Sequence, residues 1–150
     1  LGYKVVGVDP SKKGISIANQ AYPDIKLEVN DANNDLALVY GKYPLVLSLE
    51  VIEHVFLPHE FARSVYDLLD DDGIAVISTP FHGYWKNLAL AITGKMDSHF
   101  TALWDFGHIK FWSEKTLGTL LFDAGFRSVQ FRHAGRVKPL AKSMIAIARK

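Results

Sequence analysis

Cysteine is absent from the 150 residues, which excludes disulfides, thiolate metal sites and cysteine nucleophiles. Any metal must then be held by carboxylates and imidazoles. Long apolar runs are missing too: none reaches the roughly 18 uninterrupted residues that a membrane-spanning helix needs. The first residues carry no basic stretch leading into an apolar one, as a signal peptide would. Together these absences predict a soluble, cytoplasmic protein. No repeat, linker or low-complexity tract divides the chain. Its apolar content of 49% suits one core, and residues 1–150 are expected to form a single domain.

Charge is nearly balanced at +1 but unevenly spread: residues 1–100 hold 8 Lys and Arg against 13 Asp and Glu, and residues 101–150 hold 9 against 3. The basic C-terminal third reads as a solvated face. It has no basic stripe with interleaved aromatics, so nucleic acid is not expected as a partner.

Apolar runs alternate with helix-like stretches, the pattern of a mostly parallel sheet covered on both faces. A β-branched run from Lys4 to Val8 ends at Asp9. Pro10 and Ser11 open a helix through Ala21 whose predicted buried side holds Ile15, Ile17 and Ala18, with Ser11 as cap. A weaker strand spans Ile25 to Val29, followed by a polar loop from Asn30 to Asp35. Leu45 to Leu49 reads as a central strand buried on both faces. Pro58 starts a helix with Phe61, Val65, Leu68 and Leu69 on one side, and Asp70 to Gly73 turns the chain into another buried strand, Ile74 to Ser78. Phe81 to Trp112 is predicted to be an irregular, aromatic-rich insertion, either a lid over a flat substrate or packing at a sheet edge. A helix from Ser113 to Ala124, stopped by Gly125, precedes two antiparallel strands, Val129 to Arg132 and Ser143 to Ala148.

Ligands of such sheets sit beyond the carboxyl ends of the strands. Asp9 is therefore placed either to accept two ribose hydroxyls or simply to cap the next helix. Asp31-Ala32-Asn33 either meets an adenine amino group or forms a turn. The most informative constellation is Glu50, Glu53 and His54: positions i, i+3 and i+4 converge if the strand passes into a helical turn. Like charges so close need a proton or a cation between them. His108 is a candidate fourth donor, and this donor set suits Mg²⁺, Mn²⁺ or Zn²⁺. The alternative is that Glu53 and His54 cap the following helix and orient a loop.

At this point the chain resembles a known family, the class I methyltransferases that use S-adenosylmethionine. Val5-Val6-Gly7-Val8-Asp9-Pro10-Ser11 resembles that fold's second strand, and Asp31-Ala32 its adenine-side motif. The stretch from Tyr43 to Val55 is similar to the fourth strand of the subgroup that includes ubiquinone-pathway O-methyltransferases. Asp72 to Pro80 is similar to the fifth strand, and His108 to Ser113 with Leu117 to Phe126 to the substrate-side segment. The closing pair resembles the reversed hairpin that separates this fold from dehydrogenases.

The resemblance implies an α/β fold: a Rossmann-like methyltransferase sheet with helices on both faces and a C-terminal antiparallel hairpin. It implies S-adenosylmethionine as cofactor, with Asp9 and Pro10 at the ribose, Asp31 and Ala32 at the adenine, and Leu49 and Glu50 beside the methionine part. Glu53, His54 and His108 become the candidate catalytic residues, and Glu50, Glu53, His54 and His108 the candidate ligands of a divalent cation. The implied reaction is methyl transfer to an oxygen of a small hydroxylated molecule. Its rivals are a non-catalytic binding module, an RNA 2′-O-methyltransferase and a nicotinamide dehydrogenase. The family's first strand and Gly-rich loop find no match, since Leu1-Gly2-Tyr3 already resembles the approach to the second strand. A domain that is N-terminally partial is therefore expected, with a sheet of order 3-2-1-4-5-7-6 lacking its middle member, and with the ends of the Asp9 and Glu50 runs meeting at one edge of a single sheet.

Overall fold

A computed structural model describes residues 2–32 and 34–150; Leu1 and Asn33, both part of motifs read above, lie outside the described residues. Strand β1 (Val6–Asp9) leads into helix α1 (Lys12–Ala21), capped as expected by Ser11, whose Oγ accepts from the Gly14 N–H at 3.0 Å. Of its predicted buried side only Ile15 is buried; Ile17 is exposed. Strand β2 (Lys26–Val29) pairs in parallel with β1, Asp9 opposite Val29. A short helix that the sequence reading missed, α2 (Leu36–Tyr40), is capped by Asp35.

Strand β3 (Tyr43–Leu49) pairs in parallel with β4 (Leu69–Pro80) through helix α3 (Pro58–Asp67). The expected turn at residues 70–73 is an excursion within β4, between the pairs Tyr43 with Leu69 and Leu45 with Ile74. It puts Asp72 at a φ of 63°. The insertion predicted to be irregular contains two helices, α4 (Tyr84–Ile92) and α5 (Met96–Phe100). Helix α6 (Glu114–Asp123) carries a reciprocal cap between Ser113 and Thr116, and Gly125 follows it at a φ of 110°. Strands β5 (Ser128–Ala134) and β6 (Ser143–Arg149) form the antiparallel hairpin, with β6 also antiparallel to β4.

The strands do not make one sheet. Order β3-β4-β6-β5 forms one and β1-β2 another. This corrects the expected meeting of the Asp9 and Glu50 runs within a single sheet: no strand pairs β1 with β3 among the described residues. It also corrects the doubly buried β3, because a strand with one free edge and one uncovered face cannot be central. Leu45, Leu47 and Leu49 are 48%, 60% and 62% exposed. Val46, on the opposite face, packs against the core that α3 and α6 close with Phe61, Val65, Leu117 and Leu121. Contact between the two halves runs through the segment after β2: Ala32 packs on that core, and Ser64 Oγ of α3 donates to the Asn34 carbonyl at 3.2 Å.

Core and open face should respond differently to truncation. Leu121→Ala, at a fully buried position, is expected to cost about 2–5 kcal/mol, whereas Leu47→Ala should change stability by no more than about 0.5 kcal/mol. Urea denaturation midpoints of the two variants test this, and an equal loss would contradict the packing described.

Candidate active site

Beyond Leu49 the chain leaves β3 abruptly. Glu50 adopts a left-handed backbone at a φ of 54°, with its N–H held by the Ser78 carbonyl at 3.0 Å. Its carboxylate accepts from Ser78 Oγ at 2.7 Å. A tight turn follows, closed by the His54 N–H on the Val51 carbonyl. Because this left-handed residue interrupts the passage from strand to helical turn, the expected i, i+3, i+4 face forms only in part. Glu53, His54 and His108 offer donor atoms all within 4.8 Å of one another, and Glu50 does not join the group.

Glu53 is 1% exposed. Its Oε2 accepts from Thr79 Oγ1 at 3.0 Å, and its Oε1 has no hydrogen-bond partner. His108 Nε2 stands 3.9 Å from that free oxygen. Burial pushes the Glu53 carboxyl above the usual carboxylate range, and Glu50 adds to the rise; the hydrogen bonds it accepts and the neighbouring His54 work the other way. His108 is held below the ordinary histidine value by burial first, then by His54, against a smaller opposite pull from Glu50.

The segment carrying His108 is anchored on the turn that it faces. The Ile109 and Lys110 N–H groups both donate to the Glu53 carbonyl, at 2.9 and 3.0 Å. His54 Nδ1 donates to the carbonyls of Phe106 and Gly107, at 3.1 and 3.3 Å. The rings of His54 and His108 meet edge to face at 4.9 Å. Trp112 Nε1 donates to the Ile52 carbonyl at 3.3 Å. Gly107 is required here, since a Cβ would fall 2.9 Å from the Trp104 carbonyl.

On the β1-β2 side, the exposed Asp9 accepts from the Ser11 N–H on its Oδ1 at 2.8 Å, while the cap of α1 is Ser11 itself. The Asn30 N–H reaches the Asp9 carbonyl at 3.2 Å, so Asp9, Pro10 and the Asp31-Ala32 loop share one end of that sheet. Leu49 and Glu50 stand at the end of β3 in the other sheet. Sequence reasoning missed Thr79, which holds Glu53, and His82 and Lys86, both buried within the insertion. A single lysine inside the apolar helix Tyr84–Ile92 was the available signal.

Residues 1–130 match the family described as "Methyltransferase domain". The chain is 37% identical over 98 residues to the ubiquinone biosynthesis O-methyltransferase of Caulobacter sp. (strain K31), covering 63% of this chain and 38% of that protein. Identity to the protein of the same description in Bradyrhizobium diazoefficiens is 32% over 96 residues, with the same coverage. The chain thus spans well under half the length of these relatives. Among solved structures, a SAM-dependent methyltransferase from Archaeoglobus fulgidus superimposes with a TM-score of 0.70 at 17% identity, over 97% of this chain and 75% of that one. One from Thermotoga maritima, titled a possible histamine N-methyltransferase, gives 0.71 at 16%, over 96% and 72%. At such identities the likeness establishes the fold, a Rossmann-like α/β arrangement.

A pH experiment tests the burial of His82, whose proton affinity is pushed down from 6.5 to about 4 by burial first, then by Lys86 and His99. Between those values the unfolded chain binds a proton that the folded chain refuses. Its contribution is therefore complete above pH 6.5 and shrinks as pH falls toward 4. Urea midpoints measured at pH 7 and 4.5 should show a smaller drop for His82→Asn than for the parent; equal drops would contradict the assignment.

Proposed function

The chain belongs to the methyltransferase-domain family, and from that premise we propose that the protein transfers the methyl group of S-adenosylmethionine to an oxygen of a small hydroxylated molecule. The observation carrying this reading is the buried Glu53 carboxylate, with one oxygen held by Thr79 and the other unpaired before His108. A buried acceptor without a donor is costly unless a proton, a hydroxyl or a cation completes it. An acceptor hydroxyl placed there would find two imidazoles within reach, His54 and His108, to take its proton. Methyl transfer from a sulfonium is an in-line displacement in which positive charge disappears, so alignment and deprotonation are the protein's tasks.

Glu53, His54 and His108 also fit a divalent cation in chemistry, as one carboxylate and two imidazoles around an orphaned buried oxygen. Such an ion would lower the pKa of the acceptor hydroxyl. Glu50, held by Ser78, is better read as lying beside the methionine part of the cofactor together with Leu49. Asp9 and Pro10 are assigned to the ribose, and Asp31 and Ala32 to the adenine. These assignments require the two sheets to flank one ligand. We read the domain as partial over residues 1–150, with a further strand between β1 and β3: both facing edges are open, and Leu45, Leu47 and Leu49 stay exposed without it.

Glu53→Gln keeps the shape and removes the charge. With a confirmed hydroxylated acceptor, kcat is expected to fall about 10²–10⁴-fold while the affinity for S-adenosylmethionine, measured by calorimetry, stays within error. His108→Gln should behave similarly. Unchanged turnover in both variants would remove these residues from catalysis. Loss of activity on dialysis against a chelator, restored by one divalent ion, would separate the cation from the purely imidazole route.

A further inference from the structure

Next to the Glu53 group, the end of β4 and the insertion build a second buried polar cluster. His82 is 8% exposed. Its ring stacks on Phe100 at 5.7 Å, meets Phe111 edge-on at 4.9 Å and lies 5.4 Å from the ring of His99. Phe100 and Phe111 close the box edge to face at 4.8 Å. Lys86, in the first turn of α4, is also 8% exposed, and its Nζ donates to the Phe81 carbonyl at 2.8 Å.

We propose that the cluster of His82, Lys86 and His99 binds an acidic group, carboxylate or phosphate, on the molecule whose hydroxyl meets Glu53. This rests on the methyl-transfer reading and narrows its substrate class to hydroxylated anions. The buried Nδ1 of His82 and the buried Oδ1 of its neighbour Asn87 both lack a hydrogen bond of good geometry. Lys86 contrasts with the other buried lysine of the chain. Lys150 Nζ donates to two carbonyls, of Tyr66 and Leu69, and lies 4.3 Å from the centre of the Tyr66 ring. That ammonium is satisfied structurally, whereas the single carbonyl on Lys86 leaves two of its three N–H donors for something else.

The surrounding charges point the same way. Arg136 acts on Lys86, and Lys86 acts on both His82 and His99, each holding down the proton affinity of the next. The Asn87 amide favours the protonated form of His82. Like charges gathered in a poorly solvated place repel one another unless an anion joins them. His108 belongs to the Glu53 group and still acts on His82 and His99. The segment from His108 to Phe111 joins the two places, with His108 facing Glu53 and Phe111 meeting His82, and the aromatic rings of Phe100 and Phe111 suit a planar body.

The test needs neither cofactor nor turnover, so it fails separately from the methyl-transfer reading. Sodium benzoate, inorganic phosphate and neutral benzyl alcohol are titrated into the protein at constant ionic strength, following the imidazole NMR signals of His82 and His99. Saturable shifts with benzoate, phosphate or both, and none with benzyl alcohol, are expected. Saturation by benzoate alone assigns a carboxylate ligand, and by phosphate alone a phosphorylated one. Lys86→Met should weaken that binding by roughly tenfold or more. His99→Gln, at a half-buried position that tolerates change, should weaken it severalfold and keeps the test decisive if Lys86→Met does not fold. Glu53→Gln should leave it intact. Shifts that never saturate, appear equally with benzyl alcohol or persist unweakened in the folded variants would overturn the proposal.

Discussion

A carboxylate with almost no access to water is the constraint on which the site depends. Glu53 receives Thr79 from the end of β4 on its side chain and the Ile109 and Lys110 N–H groups on its carbonyl. One residue thus ties together the turn after β3, the neighbouring strand and the far end of a long insertion. Removing water from such a group costs several kcal/mol unless its lone pairs are matched. Of the two carboxylate oxygens, Oε2 is matched by Thr79, and Oε1 opens toward His108. The chain tolerates that open position where catalysis would use it.

The fold was legible wherever local chemistry and periodicity agreed. Ser11 and Ser113 cap the helices they were expected to cap, Gly125 ends α6, and β5 and β6 form the anticipated hairpin. It was least legible where a neighbour decides the outcome. Leu45 to Leu49 has the composition of a doubly buried strand, yet burial is a property of what lies beside it. The insertion looked irregular because its aromatics obscure the helical period of Tyr84–Ile92. In the site, Glu53, His54 and His108 were readable as types, but the left-handed Glu50 that turns its own side chain toward Ser78 was not. Thr79 and His82 had no signal of their own, the one an ordinary residue at the end of β4 and the other just past it.

The division into two sheets has an energetic side. Apolar surface left in water forfeits about 25 cal/mol per Å², and the three exposed leucines of β3 are 48–62% uncovered. Among the described residues, Ala32 on the core and the contacts of Asn34 and α2 with α3 join the halves. Asp9 and Ala32 belong to one half and Glu53 to the other, so whatever fixes the spacing of the halves fixes the distance between these groups.

The contacts of His54 carry a consequence for where its hydrogen resides. Carbonyl oxygens only accept, so a ring nitrogen facing those of Phe106 and Gly107 must carry its hydrogen on Nδ1. In the uncharged ring the lone pair is then confined to Nε2, and the tautomer is chosen by the loop before any ligand arrives. A loop that slid by one residue would release this choice, and the imidazole would have to be reset at each encounter.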